Sequence, residues 1–103
     1  MYSNQEILEE INNHVDCDVQ PRSTRLSSTA TPLHHPIVKR GLELNRTLFG
    51  SPTLSDQSLM PFPSLKMGPG ESSRSHTADE YILLSEIDEA IELYVQMLDG
   101  LKL

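Results

Sequence analysis

The stretch that decides the fold is the last quarter of the chain, 77-TADEYILLSEIDEAIELYVQMLDGLKL-103. Thr77 and Glu80 stand at the spacing of a capping box, and Asp79 and Glu80 suit the positive end of a helix dipole. No Gly or Pro interrupts the run until Gly100, which is placed to end a helix in a left-handed cap. Leu84, Ile87, Ile91, Tyr94 and Leu98 recur in alternating steps of three and four, the period of a helical packing seam. Leu83, Ala90 and Met97 widen that stripe on one side, and the acids Glu86, Asp88, Glu89 and Glu92 fall mostly on other faces. The spacing predicts an amphipathic helix over about 78–99, roughly 33 Å long. A helix of this length does not stand well alone, so it calls for a partner helix or groove.

Working outward, the N-terminal end repeats the pattern on a smaller scale. Ser3 and Glu6 form a second capping-box pair, and Ile7, Leu8, Ile11 and Val15 follow at helical steps. A short helix over about 4–16 is expected.

Between the two lies a block of different character. Charge is segmented: residues 1–19 carry −5, residues 20–76 carry +4 and residues 77–103 carry −6, which gives the net −7 of the 103-residue chain. All seven prolines lie between Pro21 and Pro69, and four of the five glycines are in the same block, among many Ser and Thr. Leu, Ile, Val and Phe together number 27, which leaves little apolar surface to offset the entropy of ordering a chain. The sequence thus divides into an acidic short helix over 1–19, a basic Pro/Ser/Thr-rich linker over 20–76 and an acidic amphipathic helix over 77–103. The expected fold class is mostly disordered and otherwise all-α: a disordered middle between two helical ends.

Composition excludes several functions. No apolar run approaches the roughly 20 residues that cross a bilayer, and the acidic N-terminus fits neither a secretory signal nor a transit peptide. No membrane partner is expected, and the acidic total argues against nucleic acid. The single cysteine, Cys17, allows no internal disulfide, and the compartment expected is cytoplasmic, nuclear or both. His14, Cys17 and Asp18 could share one helical turn, but a solvated helix end is the simpler reading. His34 and His35 are adjacent and diverge. No phosphate loop, metal-ligand pair or nucleophile elbow is present. The chain is expected to be no enzyme, with no cofactor, no metal and no catalytic residue.

The linker is suited to carry linear motifs. Arg46-Thr47-Leu48-Phe49-Gly50 resembles the cyclin-docking motif of the Cip/Kip inhibitors and of many cyclin-dependent kinase substrates, in which R-x-L-F-G recurs. The resemblance covers about five residues. It implies that Arg46 pairs with acidic groups beside a hydrophobic groove that Leu48 and Phe49 fill, on a cyclin–kinase complex. Thr31-Pro32 and Ser51-Pro52 are minimal proline-directed sites, which makes Thr31 and Ser51 the phosphosite candidates. Lys39-Arg40-Gly41-Leu42-Glu43-Leu44 resembles a mitogen-activated kinase docking site. Leu84-Ser85-Glu86-Ile87-Asp88-Glu89 resembles the L-x-x-I-x-E peptide that docks on a regulatory subunit of protein phosphatase 2A, with Leu84, Ile87 and Glu89 as its contacts. Leu84, Ile87, Ile91 and Leu93 match the spacing of a leucine-rich nuclear export signal. Arg22–Ser28 and Ser72–Ser75 resemble phosphoacceptor stretches, where phosphates would reverse the local charge.

The sequence therefore suggests a small regulatory adaptor, a phosphoprotein of cell-cycle type. It binds a partner protein through Leu84, Ile87, Ile91, Tyr94 and Leu98, and a proline-directed, cyclin-dependent kinase docks on or phosphorylates its linker. One alternative is a structural subunit of a helical or coiled-coil complex. Another is a viral or transcriptional regulator whose acidic helix serves activation or nuclear export.

Overall fold

Three α-helices form where apolar periodicity and capping coincide, and no strand is present. They are α1 over Asn4–His14, α2 over Pro36–Glu43 and α3 over Leu84–Leu98, joined by irregular chain and two single 3-10 turns at Asp56–Leu59 and Ser72–Arg74. The computed structural model describes all 103 residues. Helix takes up about a third of them.

The chain divides into two units, each built from two segments. One comprises Met1–Thr31 and Ser51–Ser64; the other comprises Pro32–Gly50 and Leu65–Leu103.

In the first unit, α1 starts as its sequence requires. The Glu6 amide donates to Ser3 Oγ at 3.1 Å and the Ser3 amide donates to Glu6 Oε2 at 2.7 Å. Hydrogen bonding from the Ser3 backbone, and then from its side chain, holds the Glu6 carboxyl below its ordinary range. The helix stops at His14, two residues before the expected end, and Val15 is extended. Nothing on α1 is buried. The unit is held by polar contacts instead: Asn4 Nδ2 donates to the carbonyls of Thr24 and Leu26, and the Ser27 amide donates to the Ser58 carbonyl. Gln57 Nε2 and Thr31 Oγ1 both donate to the Ser64 carbonyl.

The second unit corrects the expectation of a disordered middle. Residues 36–43 of the supposed linker form α2, which packs on α3. Prolines and glycines signal disorder by composition, yet each has a constructive place here. Pro36 occupies the first helical position, where a missing N–H costs nothing. His35 Nδ1 accepts the Ile37 amide as N-cap. Gly41 faces Met97: a Cβ there would stand 3.8 Å from Met97 Cε, an ordinary contact distance. The helix ends in a Schellman motif, with the Arg46 amide donating to the Gly41 carbonyl and the Asn45 amide to that of Leu42. Asn45 takes the left-handed conformation this requires, with φ 58°.

The buried apolar residues of the chain are Val38 on α2 and Met97 on α3, each 2% exposed. Between them they fix which side of α3 faces inward.

The start of α3 is also corrected. The helix begins at Leu84 rather than near 78, and the Thr77–Glu80 capping box does not form. His76 and Asp79 are left-handed, with φ of 60° and 54°, which a helix cannot contain. Glu80 Oε2 instead accepts the His76 amide, and Thr77 Oγ1 donates to the Arg74 carbonyl. The capping carboxylate is Glu86, three residues inside the true start, which accepts the Leu83 amide at 2.9 Å. At the other end Gly100 is left-handed, with φ 65°, as expected for the cap.

Candidate functional site

Helix α3 carries two apolar seams, offset around its circumference. The inward seam runs through Glu86, Ala90, Leu93 and Met97, each buried or half-buried. Its steps are four, three and four. The outward seam is the one the sequence marks for a partner: Leu84, Ile87, Ile91, Tyr94 and Leu98, all exposed. Val95 lies beside it and is exposed as well. Ile91, at its centre, is 58% exposed. The chain thus satisfies one side of its amphipathic helix and leaves the other uncovered.

The rim of the outward seam is acidic. Asp88 and Glu92 share one i, i+4 row with Leu84, and Ile87, Ile91 and Val95 form the neighbouring row. Towards the C-terminus a shallow depression is lined by Tyr94, Val95, Leu98, Asp99 and Gly100.

Two basic side chains from outside α3 hold its ends. At the C-terminus, Arg40 donates to the carbonyls of Gln96 at 2.7 Å and Asp99 at 2.9 Å, satisfying groups that have no partner within the helix. It also lies 3.8 Å from Glu43. At the N-terminus, Arg74 grips Glu86 with both arms of its guanidinium, one at 2.8 Å from Oε2 and the other on Oε1. The same guanidinium sits 4.8 Å from the centre of the Tyr81 ring. The two side chains are 17% and 21% exposed. Hydrogen bonds from Arg74, then from the Leu83 amide, hold the Glu86 carboxyl down to about 2. The pairing in turn raises the Arg74 guanidinium further above its ordinary value. Glu86 therefore is not a freely solvated acid, as the apolar pattern alone implies. The segment leading to Arg74 touches α3 again farther along, where Tyr94 Oη donates to the Met67 carbonyl at 2.9 Å.

The linker motifs fare differently from one another. Arg46, Leu48 and Phe49 lie on irregular chain directly after the Schellman end of α2, and all are exposed, Phe49 at 76%. Ser51 is exposed, its hydroxyl bonded to that of Thr53 at 2.6 Å. Thr31 is tied down: its hydroxyl also accepts the Ser64 amide. The basic pair of the mitogen-activated kinase pattern sits on α2, with Arg40 committed to the end of α3. Leu84, Ile87 and Glu89, read as an extended phosphatase-docking peptide, are all helical. Leu93 of the export pattern faces inward.

Sequence reasoning missed Arg40, Arg74 and Val38. The α3 partners of the two arginines lie 12 to 59 residues away, and no local period reports such contacts. No grouping of three or more His, Cys, Asp or Glu side chains has the arrangement to hold a metal ion. No helix is long and apolar enough to cross a membrane. No protein family model matches this chain, and no curated protein matches it either.

Proposed function

We propose that this chain is a non-enzymatic regulatory adaptor that binds a partner protein through the outward seam of α3. The observation that carries the reading is the division of that helix. Its inward seam meets α2 at Met97 and Arg74 at Glu86, while Leu84, Ile87, Ile91, Tyr94 and Leu98 remain exposed. A row of large aliphatic side chains at helical spacing is the material of helix-in-groove recognition. The occupant that suits it is an apolar groove with a basic rim, which complements Asp88 and Glu92 and disfavours a parallel pair of α3 helices. The helix spans 15 residues, about two heptads, which favours docking in a groove over a self-sufficient coiled coil.

The second element of the reading is kinase docking through Arg46, Leu48 and Phe49. Its support is their joint exposure on irregular chain beside a firmly capped helix, with Ser51 accessible five residues beyond Arg46. Such a segment offers a cation and two apolar anchors without having to unfold.

Proximity capture with the full chain tests the first element. Ile91→Asp is expected to lower partner recovery by about tenfold or more, because it sets a charge in an apolar groove. Glu89→Ala, away from the seam, is expected to leave recovery unchanged. Equal recovery with both variants would place the function elsewhere. For the second element, Arg46, Leu48 and Phe49 are changed together to Ala. A purified cyclin–kinase complex that phosphorylates this variant at Ser51 as fast as the parent would exclude docking.

A further inference from the structure

The start of α3 is held by a clasp rather than by a conventional N-cap. Leu83, at the cap position, has no side-chain acceptor, so Glu86 alone supplies the capping carboxylate. That carboxylate is in turn oriented by the Arg74 fork, and Arg74 is braced by the Tyr81 ring. One guanidinium thus sets the geometry of the turn from which Leu84 and Ile87 of the outward seam project. The clasp is arranged around a serine-rich turn, 71-ESSRS-75. Ser73 is directed at Glu71, to which its hydroxyl donates at 3.4 Å. Ser75 follows Arg74 immediately, is exposed, and has extended backbone with φ −70° and ψ 137°.

We propose that Ser75 is a phosphorylation site whose product opens the Arg74–Glu86 clasp and frays the first turn of α3. The proposal rests on the docking reading of α3 and names a regulator of that same surface. A protein kinase would transfer the γ-phosphoryl group of a nucleoside triphosphate to Ser75 Oγ. The hydroxyl proton passes to the kinase's base, and the nucleoside diphosphate leaves. The product carries close to two negative charges and three acceptor oxygens on the residue next in sequence to Arg74, whose guanidinium Glu86 depends on. A phosphate is the stronger bidentate partner for Arg, and its charge also repels Glu86 and Glu71. Glu86 would lose the group that aims it at the Leu83 amide, and that amide would return to water. The docking seam would then lose its first turn while the inward seam, anchored at Met97 three turns away, stays in place.

The test uses the full chain with phosphoserine installed at position 75, compared with the unmodified chain and with phosphoserine at Ser28, an exposed residue of the first unit. The readouts are amide exchange at Leu83–Ile87 and the Arg74 Nε–H resonance. Exchange is expected to quicken by about two- to fivefold, the range spanned by loss of one partly exposed ion pair, and the Arg74 signal to shift. Glu86→Gln should produce the same quickening and make the Ser75 phosphate nearly silent in exchange. Unchanged or slowed exchange, the same effect from Ser28, or a full effect persisting in Glu86→Gln would each overturn the proposal. No partner enters this measurement, so it fails independently of the docking reading, which Ile91→Asp scores.

Discussion

Met97→Ala separates the two seams of α3 by their energetic weight. Met97 is 2% exposed and lies against Gly41 of α2, so truncation removes buried methylene and thioether contacts and leaves a cavity. Fully buried Met→Ala changes cost about 2–5 kcal/mol. Val38 is the other buried apolar residue, so Met97 is half of the apolar hold of α2 on α3, beside the two Arg40 hydrogen bonds. A loss of even about 2 kcal/mol corresponds to roughly a thirtyfold rise in the open population. Ile91→Ala deletes a side chain that is 58% exposed and gains helix propensity. Its cost should stay within about 0.5 kcal/mol. The assay is native-state amide exchange followed at Val38–Leu42 of α2, with far-UV dichroism to confirm that helix remains. Met97→Ala should quicken exchange of α2 by about thirtyfold or more, and Ile91→Ala by less than about threefold. Met97→Leu, which nearly keeps the volume, should fall between them. If Met97→Ala and Ile91→Ala act equally on α2, the assignment of inward and outward seams is wrong.

Three further outcomes follow from the same contacts. Gly41→Ala should stabilise the α2–α3 pair by about 0.5–1 kcal/mol, because the new Cβ meets Met97 at ordinary contact distance and a helical glycine is removed; thermal unfolding reads the gain. Arg40→Ala should fray the last turn of α3, costing about 1 kcal/mol or less, seen as faster exchange at Asp99 and Leu101 with the first turn unaffected. The Glu86 carboxyl is held to about 2 against an ordinary 4.5. Its contribution is therefore complete above that ordinary value and is lost as pH falls towards 2. Protection of the Leu83 amide should follow that curve, and a midpoint at the ordinary carboxyl value would mean the Arg74 pairing is absent in solution.

What the sequence makes legible divides by the range of the interaction. Ser3 and Glu6 lie three residues apart, so their capping box can be read directly and forms. Gly100 ends α3 as its position suggests. The outward seam is legible because its period is local. The start of α3 is not legible in the sequence because two boxes compete within ten residues: Thr77 with Glu80, and the position-83 amide with Glu86. The second prevails because Arg74 supports Glu86, and a contact across 12 residues leaves no trace in a periodicity. Helix α2 is hidden in the sequence for a related reason. Pro36 and Gly41 lower its apparent propensity, yet one is placed at the first helical position and the other at the point where Met97 comes closest.

The two seams of α3 also explain how so sparse a core leaves a helix formed. In a two-sided apolar helix, either face could in principle pack inward, and the choice decides what is offered to a partner. The outward seam holds the larger side chains: a leucine pair, two isoleucines and a tyrosine. The inward seam has one alanine, one leucine and Met97, with Glu86 at its end. Burial alone would favour turning the larger seam inward. Three contacts oppose that rotation at once. Arg40 reaches the Gln96 and Asp99 carbonyls, Arg74 reaches Glu86, and Gly41 receives Met97. Rotating α3 by the one residue that would exchange the seams moves Glu86 off Arg74 and carries Met97 away from the only glycine of α2. The polar contacts thus fix the rotation that leaves the stronger apolar face outward. An Arg74→Ala, Arg40→Ala double variant removes two of the three. Its α3 should bury Ile91 more deeply, measured as slower exchange at Ile91 and weaker binding of a hydrophobic dye. Unchanged dye binding would mean that Met97 and Gly41 alone hold the helix in register.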